Sequence, residues 1–165
     1  MKQIKLSQGY FATVDDEDFE RINAFKWHVI IIHDKTKDRR YAQRSFRVNG
    51  ITKTELMHVE IMGKIKGFDI DHANCDGLIN TRGNLRRCTR SQNKWNISVI
   101  TTKTSKYKGV YFNKRDGAYQ STITINKKRI CLCFTKNEEE AAMAYDKAAK
   151  KFHGEYAQLN FPQSG

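Results

Sequence analysis

Apolar and polar residues alternate along the chain at two periods, and the changes of period mark its elements. Near the N-terminus Ile4, Leu6 and Tyr10-Phe11-Ala12 alternate loosely with polar residues, as a short strand or hairpin does. Phe19, Ile22 and Phe25 then fall at helical spacing behind Asp15-Asp16-Glu17-Asp18. That pattern predicts a short helix with Asp15 or Asp16 at its N-cap and acids in its first turn. The same acids would make a poor metal cluster, because a helix points neighbouring residues to different sides. Stretches 27–32 and 41–48 read as strands, joined by the charged loop 33–40, and Asn49-Gly50 is a two-residue hairpin signal. Residues 1–53 are therefore expected to form a β-rich subdomain. A short helix over 55–62 follows from apolar residues at 56, 57, 61 and 62. Gly63 and Gly67 bound the turn into a short strand, 68–70, that delivers Asp71-His72.

Residues 97–106 lack a helical period and are rich in Thr and Ser, which suits a linker. Three strands are predicted over 108–113, 119–125 and 129–134, with turns at Asp116-Gly117 and Asn126-Lys127. The clearest helix runs from 138 to 153. Asn137 is its N-cap, with Glu140 placed to bond back, and residues 141, 145, 148, 149 and 152 form its apolar stripe. Tyr145, Phe152 and Phe161 are expected in the core.

Composition narrows the function. The 165 residues are 39% apolar, below the roughly 45–50% of an average domain, which suits two small modules better than one large core. A formal net charge of +12 predicts a polyanionic partner, nucleic acid before membrane. No run of about 18 apolar residues and no signal-peptide pattern is present, so an intracellular protein is expected. No obligate protein partner is evident. Cys75, Cys88, Cys131 and Cys133 form no C-x-x-C pair and are expected as free thiols. From Arg82 to Arg115 every charged residue is basic, which reads as a continuous phosphate-facing track.

The richest chemistry lies in 68–96. Hydrolysing a phosphodiester needs a base, a cation beside the phosphate and stabilisation of the leaving oxygen. Asp71, His72 and Asn93 can supply a carboxylate, an imidazole and an amide oxygen, although Asp and Asn are also ordinary loop formers. His28 and His33 have no partner at ligand spacing and are taken as structural. His58 either lines the same site or is a helix histidine facing a strand.

The stretch D-H-x-N-x-D-G-x-x-N-x-R-x-N-L-R-x-x-T-x-S-Q-N, from Asp71 to Asn93, resembles the HNH homing endonucleases of phages and mobile introns, in the variant ending in Asn. The resemblance implies His72 as general base, Asp71 and Asn93 as ligands of Mg²⁺ or another divalent ion such as Mn²⁺, and Asn84 as the residue holding the ββα-metal loop. V-D-D-E-D-F-E and M-H-x-E-I-M-G are also typical of such phage proteins. Cys75 departs from that pattern, standing where Gly is usual. From Ser105 onward, S-K-Y-K-G-V, E-E-A-A-x-A-Y-D-x-A-A and H-G-E-x-A-x-L-N-F-P resemble the AP-two (ethylene-response-factor) DNA-binding domain. That family reads the major groove with its three-stranded sheet, which implies Tyr111, Asn113, Arg115, Tyr119, Thr122 and Arg129 as DNA-facing residues. Cys131 and Cys133 replace its third-strand aromatic and Gly, and the strand is expected one residue out of register near Phe134.

The expectation is thus an α+β chain in four parts: a β-rich subdomain (1–53), an HNH ββα-metal nuclease (54–96), a basic linker (97–104) and an AP-two-like module (105–163), with a three-stranded antiparallel sheet packed on one helix. It would cut or nick double-stranded DNA, with Arg86, Arg87, Arg90, Lys94, Lys103, Lys106 and Lys108 on phosphates, and be phage- or mobile-element-encoded. The rival is a sequence-specific DNA-binding regulator whose nuclease half is inactive.

Overall fold

The computed structural model describes residues 1–33, 38–97 and 104–162. It divides into two compact units, Met1–Asn93 and Lys94–Gly165. Among the described residues the structure is mixed α and β, with four small antiparallel sheets and four α-helices.

In the first unit, β1 (Lys2–Lys5) and β2 (Phe11–Val14) form a hairpin in which Ile4 pairs with Ala12, both buried. Helix α1 (Asp16–Asn23) follows. Asp15 stands at its N-cap but makes no side-chain cap bond; its carboxylate accepts the backbone N–H of Arg82 instead. The helix start is also less solvated than expected, because Asp18 is buried and held by Arg21, one turn on, and by Arg82. Strands β3 (His28–Ile32), β4 (Arg39–Val48) and β5 (Ile51–Leu56) make a meander. Asn49 and Gly50 close its second turn with φ of 51° and 78°, the left-handed pair that such a turn demands.

Helix α2 (Met57–Met62) begins two residues later than its periodicity predicts, since Glu55 and Leu56 still pair with β4. Arg44 causes this. Its guanidinium lies 2.8 Å from Glu55 and 2.7 Å from Glu60 and sits over the Phe25 ring, locking the strand end to the helix. Strands β6 (Asp69–His72) and β7 (Leu85–Cys88) form a two-stranded antiparallel sheet, followed by α3 (Arg90–Trp95). One core runs through the unit, with Ile4, Val14, Ile22, Trp27, Val29 and Ala42 packed with Met57, Ile61 and Leu85. The N-terminal strands thus wall in the β6–β7 hairpin directly.

In the second unit, β8 (Val110–Asn113), β9 (Ala118–Ile125) and β10 (Lys128–Thr135) form an antiparallel sheet in the order β10-β9-β8, backed by α4 (Glu138–His153). Asn137 caps α4 by accepting the N–H groups of Glu139 and Glu140. Glu140 does not bond back; its carboxylate takes the Thr135 hydroxyl. The alanines of α4 let it approach the sheet closely. A Cβ on Gly109, whose φ is 75°, would sit 2.0 Å from the Tyr145 ring, so only glycine fits the K-Y-K-G-V turn. Asp146 receives the backbone N–H groups of Asn160 and Phe161, and the Asn160 side chain accepts from Lys108 N–H. These bonds explain the Y-D and L-N-F stretches as one clasp. Tyr145 is buried, whereas Phe152 and Phe161 are 44% and 39% exposed and do not belong to the core as expected. A bulge between Cys131 and Cys133 shifts the β10 register.

Candidate active site

Strand β6 presents its side chains alternately, so Asp69 and Asp71 share one face and His72 takes the other. Asp71 is 7% exposed and lies opposite Arg86 on β7. The Arg86 Nε donates to its Oδ2 at 2.9 Å. Asn93, on α3, donates its Nδ2 to Asp69 Oδ2 at 3.3 Å. A carboxylate is acceptor-only, so this bond turns the amide nitrogen toward Asp69 and leaves Oδ1 as the acceptor end of the amide. Asp69 was not singled out from the sequence. Its i, i+2 spacing from Asp71 on a strand is the signal that finds it.

The loop between β6 and β7 is shaped by its own short polar side chains. Asn74 Oδ1 accepts from Asp76 N–H, and Asp76 Oδ1 from Leu78 N–H. Asn84 spans the loop, since its Oδ1 accepts from Asn74 N–H at 3.0 Å and its Nδ2 donates to Ile79 O at 2.7 Å. Gly77 lies flat against β4, where a Cβ would fall 2.3 Å from Arg40 O and 2.4 Å from the Tyr41 ring.

His72 is 5% exposed and walled by aromatic rings. The His58 ring meets it edge-on with centroids 4.9 Å apart, and Tyr41 lies 5.9 Å from both. Its Nε2 is 3.2 Å from Asn80 Oδ1. Burial lowers the His72 pKa, opposed by the Asn80 bond and by the charges of Asp71 and Asp76. His58 is pushed down to about 4, by burial first and then by the neighbouring His72. Both readings of His58 stand: it is a helix residue whose ring faces Tyr41 on β4 and His72 on β6. Burial, with Asp71 and Asp69 nearby, pushes the Cys88 thiol up to about 11, so it offers no thiolate at neutral pH.

Among the described residues no three His, Cys, Asp or Glu side chains converge as a metal site. Asp69 and Asp71 on β6 and Asn93 on α3 carry oxygen donors, the type that a hard divalent cation keeping several waters takes.

The basic track is not continuous in space. Acids absent from that sequence stretch are delivered by other elements: Arg82 meets Asp18 and Glu17, and Arg86 meets Asp71. Burial alone would raise the Asp18 carboxyl, but hydrogen bonds from Arg82 and Arg21 outweigh it and hold the carboxyl below its usual range. Arg87 donates to Met62 O, and Lys108 Nζ donates to the carbonyls of Trp95 and Ile97. These side chains brace the fold. Lys103 lies outside the described residues. Arg90, Lys94 and Lys106 are exposed.

On the β8–β10 sheet, Tyr111, Gln120, Thr122, Arg129 and Cys131 share the face away from α4. Tyr111 donates to Gln120, Gln120 Nε2 reaches Cys131 Sγ, and Arg129 Nε donates to Thr122 Oγ1 while its guanidinium stands over the Tyr111 ring. Tyr119 is not on this face. It packs against Val110, Ala141 and Ala142 on the helix side and meets Phe112 edge-on, because residue 119 has the opposite parity to 120 and 122. Asn113 is engaged within the turn, donating to Asp116 and accepting from Arg115 N–H.

No family model matches the chain. It is 26% identical over 153 residues to an uncharacterized HNH endonuclease of Acanthamoeba polyphaga mimivirus, covering 93% of this chain and 76% of that protein. Protein 3.8 of Escherichia phage T7 is 28% identical over 94 residues, 57% of this chain and 77% of its own. An AP2-like ethylene-responsive transcription factor of Arabidopsis thaliana is 42% identical over 60 residues, 36% of this chain, which spans only 12% of that factor's length. The chain therefore has distant similarity to an HNH endonuclease over most of its length, and to AP2-like factors over about a third.

Proposed function

We propose that the chain is a divalent-cation-dependent endonuclease of the HNH kind acting on double-stranded DNA, with its nuclease in 54–96 and its DNA-reading module in 105–163. One observation carries this reading: β6, β7 and α3 bring Asp71, Asp69 and Asn93 to one face, while the Asn84-braced loop closes beside the buried imidazole of His72.

In this reading Asp71 and Asn93 hold the ion, Mg²⁺ or Mn²⁺, and Asp69 orients the Asn93 amide. When bound, the ion supplies positive charge beside the scissile phosphate and its leaving oxygen. His72 takes a proton from water as the water oxygen bonds to phosphorus; the bond from phosphorus to the 3′ oxygen breaks, and that oxygen is protonated by solvent. Asn84 keeps the loop in place. Arg90, Lys94 and Lys106 contact phosphates, and Tyr111, Thr122 and Arg129, with Gln120, face the bases.

The test is cleavage of supercoiled plasmid carrying viral and host genomic inserts, with Mg²⁺, with EDTA and with His72→Ala. Metal-dependent nicking or linearisation that drops by about a hundredfold or more in His72→Ala is expected. Inserts left uncut throughout would overturn the enzyme reading.

A second reading has one observation in its favour. The Arg86 guanidinium, 2.8 Å from Asp71 Oδ2, already neutralises the carboxylate that would hold the cation, as in a DNA-binding regulator with an inactive nuclease half. Arg86→Ala separates the two. In a working nuclease it raises the apparent Mg²⁺ affinity of an activity that the wild type already shows, whereas cleavage that appears only in Arg86→Ala supports the second reading.

A further inference from the structure

The polar partner of His72 can be followed outward through acceptor-only groups. Asn80 is 1% exposed, and its backbone N–H is bound to Thr13 O at 2.7 Å, so its backbone is pinned to β2. Its Nδ2 faces the Gly77 carbonyl at 3.4 Å. A carbonyl only accepts, so the amide nitrogen must be the atom on that side. The oxygen then faces His72, 3.2 Å from Nε2. An amide oxygen also only accepts, so Nε2 must carry the proton. Gly77 is itself fixed against Arg40 and Tyr41 with no room for a Cβ. The chain of constraint therefore runs from β4 through Gly77 and Asn80 to the imidazole.

Resting on the reading of His72 as the base, we propose that Asn80 is its positioning residue. By accepting the Nε2 proton it fixes the ring plane and makes Nδ1 the nitrogen that takes the proton from water. His58 and Tyr41 supply apolar walls that hold the ring in plane, but Asn80 chooses the tautomer. The proton moves from water oxygen to Nδ1 while the Nε2–H bond to Asn80 stays intact.

The test has a readout independent of cleavage. In the full chain, nitrogen-15 NMR of the neutral His72 ring should show the proton on Nε2, protected from solvent exchange. Asn80→Leu should lose that protection, and Asn80→Asp, which keeps an acceptor oxygen, should retain it. In plasmid cleavage Asn80→Leu should lower the rate constant about 10- to 100-fold with DNA affinity unchanged, and Asn80→Asp should recover part of that loss. Should Asn80→Leu not fold, Asn80→Ala, which also lacks an acceptor, makes the same comparison. A proton on Nδ1, protection that survives Asn80→Leu, or cleavage that persists after protection is lost would overturn the proposal. A protected, Asn80-dependent Nε2–H in a wild-type protein that cuts nothing would overturn the nuclease reading and leave the Asn80–His72 assignment standing.

Discussion

Cys75 holds φ at 60° in the loop beside His72, where its backbone N–H returns to His72 O at 2.9 Å. A side chain in that left-handed conformation costs about 1–2 kcal/mol, which glycine avoids at some entropic cost of its own. Cys75→Gly should therefore stabilise the protein by up to about 1 kcal/mol, read as a higher midpoint in thermal melts, with cleavage retained. A lower midpoint would mean that the thiol makes packing contacts worth more than the backbone cost. His58 gives a second residue-scale prediction. Its folded pKa, about 4, lies below its ordinary 6.5, so between these values the unfolded chain binds more protons. Stability is then fully present above about pH 6.5 and falls as pH drops toward 4, by up to about 1.4 kcal/mol per pH unit. Urea melts across this window should show a shallower slope for His58→Phe than for the wild type. Equal slopes would assign the lost stability to another group.

At the scale of elements, short side chains decide where helices begin. Asn137 satisfies two N–H groups of α4, so Asn137→Ala should cost about 1 kcal/mol in denaturant melts. Asp15 stands in the equivalent place before α1 and caps nothing, because its carboxylate is held by Arg82 N–H. The expected capping failed there for a tertiary reason: a loop donor 67 residues away competes with the helix's own N–H groups and wins. The same competition delays α2, where Arg44 keeps Glu55 in β5. Parity acts on strands in a comparable way. A single residue separates Gln120, on the open face of the sheet, from Tyr119, packed under α4.

At the scale of the whole molecule, charge is divided by its surroundings. The chain carries +12, yet Arg82 and Arg86 are paired with carboxylates and Arg87 and Lys108 with carbonyls. DNA affinity should therefore fall with salt less steeply than ten basic residues between 82 and 115 would suggest. Arg129→Ala should weaken DNA binding by roughly 1–3 kcal/mol, as loss of a base or phosphate contact does. Tyr119→Leu should lower stability and leave the affinity of the folded protein unchanged. Titrations of a target-bearing duplex at several salt concentrations check both. Affinity lost in Tyr119→Leu at full folding would return that residue to the DNA face.

Neither β7 nor α3 shows in the side-chain period, but by itself the sequence determined the Asn49-Gly50 turn, the Asn137 cap and a strand leading into Asp71 and His72. Each depends on local geometry: side-chain period, positive φ, or a cap within three residues. The tertiary structure alone decided the partners. Asp69 joins Asn93, Arg86 closes on Asp71, Asn80 and His58 surround His72, and acids from α1 discharge Arg82. These residues stand 8 to 65 positions apart in the chain, at separations where periodicity carries no information. Pairing of β6 with β7, and their packing with the N-terminal elements, brings them into contact.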